Sequence, residues 1–156
     1  MDMDSTKGPL PPRVRILVAE DDPNDSFLLE RAFQMAPISA DLRILPNGNE
    51  VISYLQGAAP YEDRAANPLP DLLLLDLKMP LMDGFDVLEW VKAHPELSHI
   101  VSIVFSGSDQ PVDVDRAYTL GASRYLVKPN TLDALIQVVR GVEKFWTRLC
   151  AERARS

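Results

Sequence analysis

The sequence predicts a single α/β domain in which a mostly parallel, five-stranded sheet is covered by helices on both faces. Five short runs of Val, Ile and Leu alternate with segments whose apolar residues recur at spacings of three and four. The runs are apolar without interruption, which is typical of strands covered on both faces. The length of 156 residues suits one domain of ordinary size.

The first half of the chain contains two strand–helix pairs. Arg13 to Ala19 is an apolar run that stops at an acidic turn, and the following helix is expected to be capped by Asn24 or Asp25. A weaker strand is expected over Asp41 to Leu45, and a second helix over Glu50 to Leu55. These segments supply the first two units of the alternation.

Three further strand–helix pairs follow a long connection. The segment 57–70 is rich in Ala, Pro and Asn and is expected to be too polar and broken to join the core. Strands are predicted over Asp71 to Leu75, Ile100 to Phe105 and Ser123 to Val127. Helices are predicted over Phe85 to Val91, Val112 to Leu120, and from a Thr131 cap through Val142.

Alternation of this kind implies right-handed crossovers between parallel strands. The flavodoxin-like strand order, 2-1-3-4-5, is the natural arrangement for five such units. Residues 13–149 are expected to form the domain, which ends in an extended helix. Residues 1–12 are expected to be a flexible N-terminal tail, and residues 150–156 a C-terminal tail.

Composition excludes several classes of function. The net charge of −7 and the pI of about 4.8 disfavour nucleic-acid binding, which needs clustered Lys and Arg. The single cysteine, Cys150, cannot form an internal disulfide and fits a reducing compartment. No apolar stretch is long enough to span a membrane, and Met1 to Pro12 does not resemble a signal peptide. The expected location is the cytoplasm.

Four of the five apolar runs end in a charged or reactive side chain. The first ends at Glu20-Asp21, the third at Asp76, the fourth at Ser106 and the fifth at Lys128. Each residue taken alone has an ordinary explanation, such as a helix-capping acid or a solvated lysine. The carboxyl ends of parallel strands, however, meet at one edge of a sheet, where ligands of open α/β sheets bind. The sequence therefore predicts one pocket built from all four sites.

The residue types at this predicted pocket point to phosphoryl chemistry. Glu20, Asp21 and Asp76 would repel one another unless a cation shared the site. Mg²⁺ accepts one or two carboxylates together with phosphate oxygens. A carboxylate can also act as a nucleophile and form an aspartyl phosphate. Lys128 can neutralise charge on the transferred group, and Ser106 can donate a hydrogen bond to it.

The motifs at the strand ends resemble the signatures of two-component response-regulator receiver domains, the CheY-like family. The resemblance spans about Val14 to Val142. It is carried by four motifs in order, namely Ile16-Leu17-Val18-Ala19-Glu20-Asp21-Asp22-Pro23, Leu74-Leu75-Asp76-Leu77-Lys78-Met79-Pro80-Leu81-Met82-Asp83-Gly84, Ser106-Gly107, and Tyr125-Leu126-Val127-Lys128-Pro129.

The resemblance implies a role for each matching residue. Asp76 is the phosphoacceptor, and a histidine kinase is the phosphoryl donor. Asp21, Asp76 and the Lys78 backbone carbonyl bind Mg²⁺, with Glu20 acting through a metal-bound water. Lys128 pairs with the phosphoryl group, Ser106 moves to hydrogen-bond it, and Tyr125 turns inward in step. In this family, the positions of Lys78 and Ser108 influence how fast the phosphoryl group is lost.

A narrower resemblance concerns stand-alone receivers of the type paired with bacterial phytochrome kinases. It is carried by the 57–70 insertion and by Phe145-Trp146 near the end of the last helix, together with the expectation that no output domain follows that helix. Such receivers are often homodimers, which makes Phe145 and Trp146 candidates for a dimer surface. Ordinary packing at the end of a helix would also explain these two aromatic residues. The downstream partner stays unnamed.

Two other functions compete with a phosphoaccepting receiver, which is not a multiple-turnover enzyme. A haloacid-dehalogenase-like phosphatase also uses an aspartate nucleophile and Mg²⁺, but such enzymes typically carry a second acid two residues later. Lys78 occupies that position here. A degenerate receiver would act only as a binding module, and the presence of Asp76, Lys128 and the acidic pair argues against it.

Overall fold

The computed structural model describes residues 13–155, which form five strands, five α-helices and one short 3₁₀ helix. The strands are β1 Val14–Ala19, β2 Ala40–Leu45, β3 Leu72–Leu75, β4 Val101–Ser106 and β5 Arg124–Val127. The helices are α1 Pro23–Met35, α2 Gly48–Gln56, α3 Gly84–Lys92, α4 Pro111–Thr119 and α5 Leu132–Arg155, with the 3₁₀ helix at Pro95–Leu97.

All five strands are parallel, and their order is β2-β1-β3-β4-β5, which confirms the predicted fold. The register places Ala19 beside Leu45 on one side and Leu75 on the other. Leu75 in turn lies beside Val104. The carboxyl ends of β1, β3 and β4 therefore lie next to each other at one edge of the sheet.

Each face of the sheet has its own apolar core, because successive side chains of a strand point to opposite faces. Leu17, Leu73 and Val104 pack with residues of α2, α3 and α4. Val18 and Ile103 pack on the other face with residues of α1 and α5. All four residues of β3 are buried, as expected for a central strand covered on both sides.

Two helix ends differ from the sequence-based expectation. Asp22, rather than Asn24 or Asp25, caps α1, and its carboxylate accepts hydrogen bonds from the backbone N–H groups of both of those residues. Pro23 is the reason, because a proline suits the first helical position directly after such a cap. The predicted tail at 150–156 is wrong for residues 150–155, because α5 continues to Arg155. Arg153 supports this last turn by donating to the His99 carbonyl at 3.0 Å.

The 57–70 connection is more closely attached than its composition suggested. The Arg64 guanidinium donates to the carbonyls of Tyr54 and Leu55 at 2.8 Å, which satisfies backbone groups at the end of α2. Tyr61 packs against the core and donates to Glu50 at 2.6 Å. The expectation that this segment stays out of the core is therefore wrong for Tyr61.

The predicted N-terminal tail at 1–12 lies outside the described residues. Within residues 13–155, no helix has the length and apolar character needed to cross a membrane.

Candidate functional site

Lys128 is the centre of the site at the carboxyl edge of the sheet. Its Nζ donates to Glu20 Oε1 at 2.6 Å, to Asp76 Oδ2 at 2.8 Å and to Asp25 Oδ2 at 2.9 Å. An ammonium group has three N–H donors, so each acid takes one. Side chains separated by more than a hundred positions in sequence thus meet at a single nitrogen.

The hydrogen-bond ladder of the sheet continues past the strand ends and places the backbone of these residues. The Glu20 N–H donates to the Leu45 carbonyl at 3.0 Å, and the Asp76 N–H donates to the Ala19 carbonyl at 3.1 Å. The Lys128 N–H donates to the Ser106 carbonyl at 2.8 Å. Each functional residue follows its strand directly, so the register of the sheet fixes where its side chain begins.

Three carboxylates of the site could hold a metal ion. One ligand oxygen each from Glu20, Asp21 and Asp76 lies within 4.8 Å of the others. Glu20 and Asp76 are buried, whereas Asp21 is exposed and leaves the cluster open to solvent. A set made only of carboxylate oxygens suits a hard divalent cation, so these residues fit the group that the sequence implied.

The electrostatic environment affects Glu20 and Lys128 differently. Burial raises the pKa of Glu20 from 4.5 to about 7, although the hydrogen bond from Lys128 opposes this shift. Burial by itself would lower the pKa of Lys128, but its hydrogen bonds to Asp76, Glu20 and Asp25 outweigh burial and raise the pKa above its ordinary value. Lys128 therefore stays charged at neutral pH.

Ser106 and Tyr125 lie at the same edge and are linked through Ser108. The buried Ser106 Oγ accepts a hydrogen bond from the Ser108 N–H at 3.1 Å. The Tyr125 hydroxyl donates to the Ser108 carbonyl at 2.9 Å. Ser108 Oγ donates to Asp113 of α4 at 2.5 Å. One loop residue thus connects the β4 end, the β5 tyrosine and the first turn of α4.

The remaining predicted site residues have different positions. Lys78 contacts the site through its backbone, because its N–H donates a hydrogen bond to Asp76 Oδ1 at 3.2 Å. Its role as a carbonyl ligand stays a prediction. Phe145 and Trp146 lie on α5, partly buried against the second core, and the Arg124 guanidinium stacks 4.7 Å from the Phe145 ring centroid. Their role in a dimer also stays a prediction.

Sequence reasoning missed two features of the site. Asp25 was considered only as a helix cap, yet it contacts Lys128. Its place in the first turn of α1, directly after the acidic pair, was the available signal. Gly84 was also missed as a packing position, although a Cβ there would lie 2.4 Å from the Asp76 carbonyl oxygen. The Gly84 N–H donates to the Leu77 carbonyl at 3.2 Å, so α3 begins in direct contact with the Asp76 loop.

The strand order, the acidic cluster and the lysine at the carboxyl edge define a CheY-like receiver domain. Residues 16–140 match the family model of the response regulator receiver domain, and the chain belongs to that family. It is 38% identical over 136 residues to the response regulator Rcp1 of Synechocystis sp., covering 87% of this chain and 90% of Rcp1. The relationship does not favour a haloacid-dehalogenase-like phosphatase.

Solved structures of related proteins share this fold. The phosphorylated cyanobacterial phytochrome response regulator RcpA has a TM-score of 0.79 at 32% identity, covering 87% of this chain and 95% of RcpA. The response regulator RPA3017, from red light signalling of R. palustris, has a TM-score of 0.81 at 35% identity, with 85% and 93% coverage. The Mn²⁺-bound form of Rcp1 has a TM-score of 0.76 at 36% identity, with 85% and 94% coverage. This chain is thus similar to a cyanobacterial phytochrome response regulator and to a response regulator of red light signalling.

Proposed function

We propose that this receiver accepts a phosphoryl group from a histidine kinase on Asp76, in the presence of Mg²⁺, and transmits the event through a change in protein–protein binding. The observation that carries the proposal is the position of Asp76. Its carboxylate is buried, it belongs to a cluster of three acids, and it contacts the Lys128 ammonium at 2.8 Å. This is an arrangement suited to a nucleophilic carboxylate beside a charge-neutralising group.

Transfer forms a bond between a carboxylate oxygen of Asp76 and phosphorus. The bond from phosphorus to the donor atom breaks, and the donor leaves with the electron pair. The Lys78 N–H, which donates to Asp76 Oδ1 at 3.2 Å, orients the nucleophile. The Lys128 ammonium offers positive charge to the oxygens of the transferred group, and positioning with charge neutralisation is most of what phosphoryl transfer requires.

Asp21 and Asp76 would hold Mg²⁺ directly, together with the Lys78 carbonyl, and Glu20 would reach it through a water. When bound, the cation neutralises charge on the phosphoryl oxygens. The proposal is supported by the all-oxygen donor set of the cluster and by the Mn²⁺-bound form of the relative Rcp1. Asp21 is the exposed member of the cluster and leaves a path for the ion and for the phosphodonor.

Phosphorylation would be sensed by Ser106 and Tyr125. Phosphorylation makes Asp76 more negative and adds acceptor oxygens. The Ser106 oxygen already accepts from the Ser108 N–H, so its own O–H is free to donate to the phosphoryl group. Because the Tyr125 hydroxyl holds the Ser108 carbonyl, a movement of this loop reaches β5 and α4 together.

The relatives support a bacterial phytochrome as the kinase, since RcpA is a cyanobacterial phytochrome response regulator and RPA3017 acts in red light signalling. Loss of the phosphoryl group by the receiver itself, a homodimer involving Phe145 and Trp146, and a cytoplasmic location belong to the same proposal. Under this proposal the protein undergoes one phosphorylation per cycle and turns over no external substrate.

Incubation with acetyl phosphate and Mg²⁺, followed by intact-mass measurement, tests the proposal. The wild type should gain one phosphoryl group, and Asp76→Asn should gain none. Asp41→Asn is the matched control, because it removes an exposed acid on the edge strand β2 and should be phosphorylated like the wild type. Phosphorylation of Asp76→Asn, or none in the wild type, contradicts the assignment. Full signalling by the Asp76→Asn variant would instead favour a receiver that acts only by binding.

A further inference from the structure

Asp25 is a fourth carboxylate at the site, and it reaches the site from a helix rather than from a strand. It lies in the first turn of α1, and its Oδ2 accepts a hydrogen bond from Lys128 Nζ at 2.9 Å. Neither the acidic pair of β1 nor the cluster that could hold a metal includes it. Its contact with the lysine, rather than its negative charge alone, makes it part of the site.

The three acids on Lys128 are not equivalent. The Glu20 side chain is 3% exposed and the Asp76 side chain 8%, whereas the Asp25 side chain is 41% exposed. Asp25 also makes the longest of the three contacts. A carboxylate that keeps contact with water gives up a hydrogen bond at less cost than a buried one. Asp25 is therefore the partner that Lys128 can release most easily.

We infer that Asp25 competes with the incoming phosphoryl group for the third N–H donor of Lys128 and is thereby a positioning residue for the phosphoryl-transfer step. This inference rests on the proposed function of Asp76. While Asp76 is still a carboxylate, its hydrogen bond and those of Glu20 and Asp25 occupy all three donors of the ammonium. Lys128 can donate to an oxygen of the arriving group only after one of these acids yields.

The negative charge of Asp25 should slow phosphorylation, as its competition for the Lys128 donor also should. Asp25 Oδ2 and Asp76 Oδ2 lie 2.9 and 2.8 Å from the same nitrogen, and therefore within about 6 Å of each other. A phosphoryl donor is an anion, so a carboxylate at this distance repels it. The same carboxylate attracts a divalent cation. Loss of the charge should consequently speed phosphorylation at saturating Mg²⁺ and weaken Mg²⁺ binding.

These two opposite effects distinguish a positioning role from a structural one. Asp25 also lies where an acid stabilises a helix N-terminus, and loss of that contribution would only lower the stability of α1. A structural role therefore predicts a lower melting temperature, with no gain in rate. Asp25→Glu keeps the charge and Asp25→Asn removes it. Glu30→Gln is the matched control, because it removes one exposed charge further along the same helix.

The experiment measures two quantities for the wild type and these three variants. The rate of phosphorylation by acetyl phosphate at saturating Mg²⁺ is followed by intact mass, and Mg²⁺ affinity is measured by isothermal titration calorimetry. We expect Asp25→Asn to be phosphorylated about 3- to 10-fold faster and to bind Mg²⁺ about 2- to 10-fold more weakly, with both differences shrinking as salt is added. Asp25→Glu and Glu30→Gln should stay near the wild type in both measurements.

An Asp25→Asn variant that is phosphorylated at the wild-type rate or more slowly, while the wild type gains its phosphoryl group, overturns the inference alone. A Glu30→Gln variant as fast as Asp25→Asn would also overturn it, because net charge would then be the cause. A wild type that gains no phosphoryl group overturns the proposed function and the inference with it.

Discussion

Replacing Gly84 by alanine tests whether the close contact between α3 and the Asp76 loop is required. A Cβ at this position would lie 2.4 Å from the Asp76 carbonyl oxygen and 3.0 Å from the Leu77 Cα. Both neighbours are backbone atoms, so no flexible side chain can move aside. An ordinary contact needs more than 3 Å, which means that the helix and the loop must separate by roughly 1 Å.

The expected magnitude follows from this separation. Forcing an extra methyl group into a packed site costs about 1–3 kcal/mol. For a domain of this size, that cost corresponds to a fall in melting temperature of roughly 2–12 °C. The phosphoacceptor loop would also shift, and a displacement of about 1 Å at a reacting group can cost on the order of 100-fold in rate. Gly84→Ala should therefore lose both stability and phosphorylation by acetyl phosphate.

Gly141→Ala is the internal control, because it makes the same chemical change within α5. Apart from its chain neighbours and the backbone of its own helix, no described heavy atom lies within 4 Å of a Cβ built there. Alanine is favoured over glycine inside a helix by about 0.5–1 kcal/mol, so this variant should be slightly more stable than the wild type. Thermal melts and phosphorylation rates of both variants check the argument. A Gly84→Ala protein with wild-type stability and wild-type rate would refute it.

Two further predictions concern charge. Lys128→Met should lower stability in metal-free buffer by about 2–4 kcal/mol, because it leaves neighbouring carboxylates unpaired. Mg²⁺ should recover part of this loss. A melting temperature unchanged by the substitution would contradict the prediction. The hydrogen bond to Glu50 and burial raise the pKa of Tyr61 above its ordinary value of 10. The contribution of Tyr61 to folding stability is therefore fully present below pH 10 and is lost as pH rises through the pKa of the folded state. Tyr61→Phe should therefore lower the urea midpoint at pH 8 and make its decline above pH 10 shallower, whereas an equally steep decline would count against the role of Tyr61.

The meeting of the site residues that directly follow strands was predictable from the sequence. Glu20, Asp76 and Lys128 each follow an apolar run directly, and a parallel sheet has to bring such positions to one edge. The strand order was predictable for the same reason, since the alternation of elements restricts the topology to few arrangements.

The contacts that come from helices were not predictable in this way. Asp25 reaches Lys128 only because α1 packs at a particular rotation and distance, which depend on the whole core rather than on local sequence. The contact of Gly84 with the Asp76 carbonyl depends on how closely α3 approaches a loop. The end of α5 was misjudged because residues 150–155 have no strong apolar pattern, although an Arg153 contact with the His99 carbonyl supports the helix there.

Lys128 explains how four carboxylates can share one edge of the sheet before a cation or a phosphoryl group arrives. Its ammonium neutralises part of their charge, and its raised pKa keeps it protonated. Once Asp76 is phosphorylated, the site gains negative charge and acceptor oxygens, so Lys128 has more anionic partners than donors. Because Tyr125 lies in β5 and Lys128 directly follows that strand, a shift of the ammonium toward the new acceptors acts on the strand whose tyrosine holds the Ser108 carbonyl. The redistribution of one lysine's hydrogen bonds can thus connect the chemistry at Asp76 to the surface formed by β5 and α4.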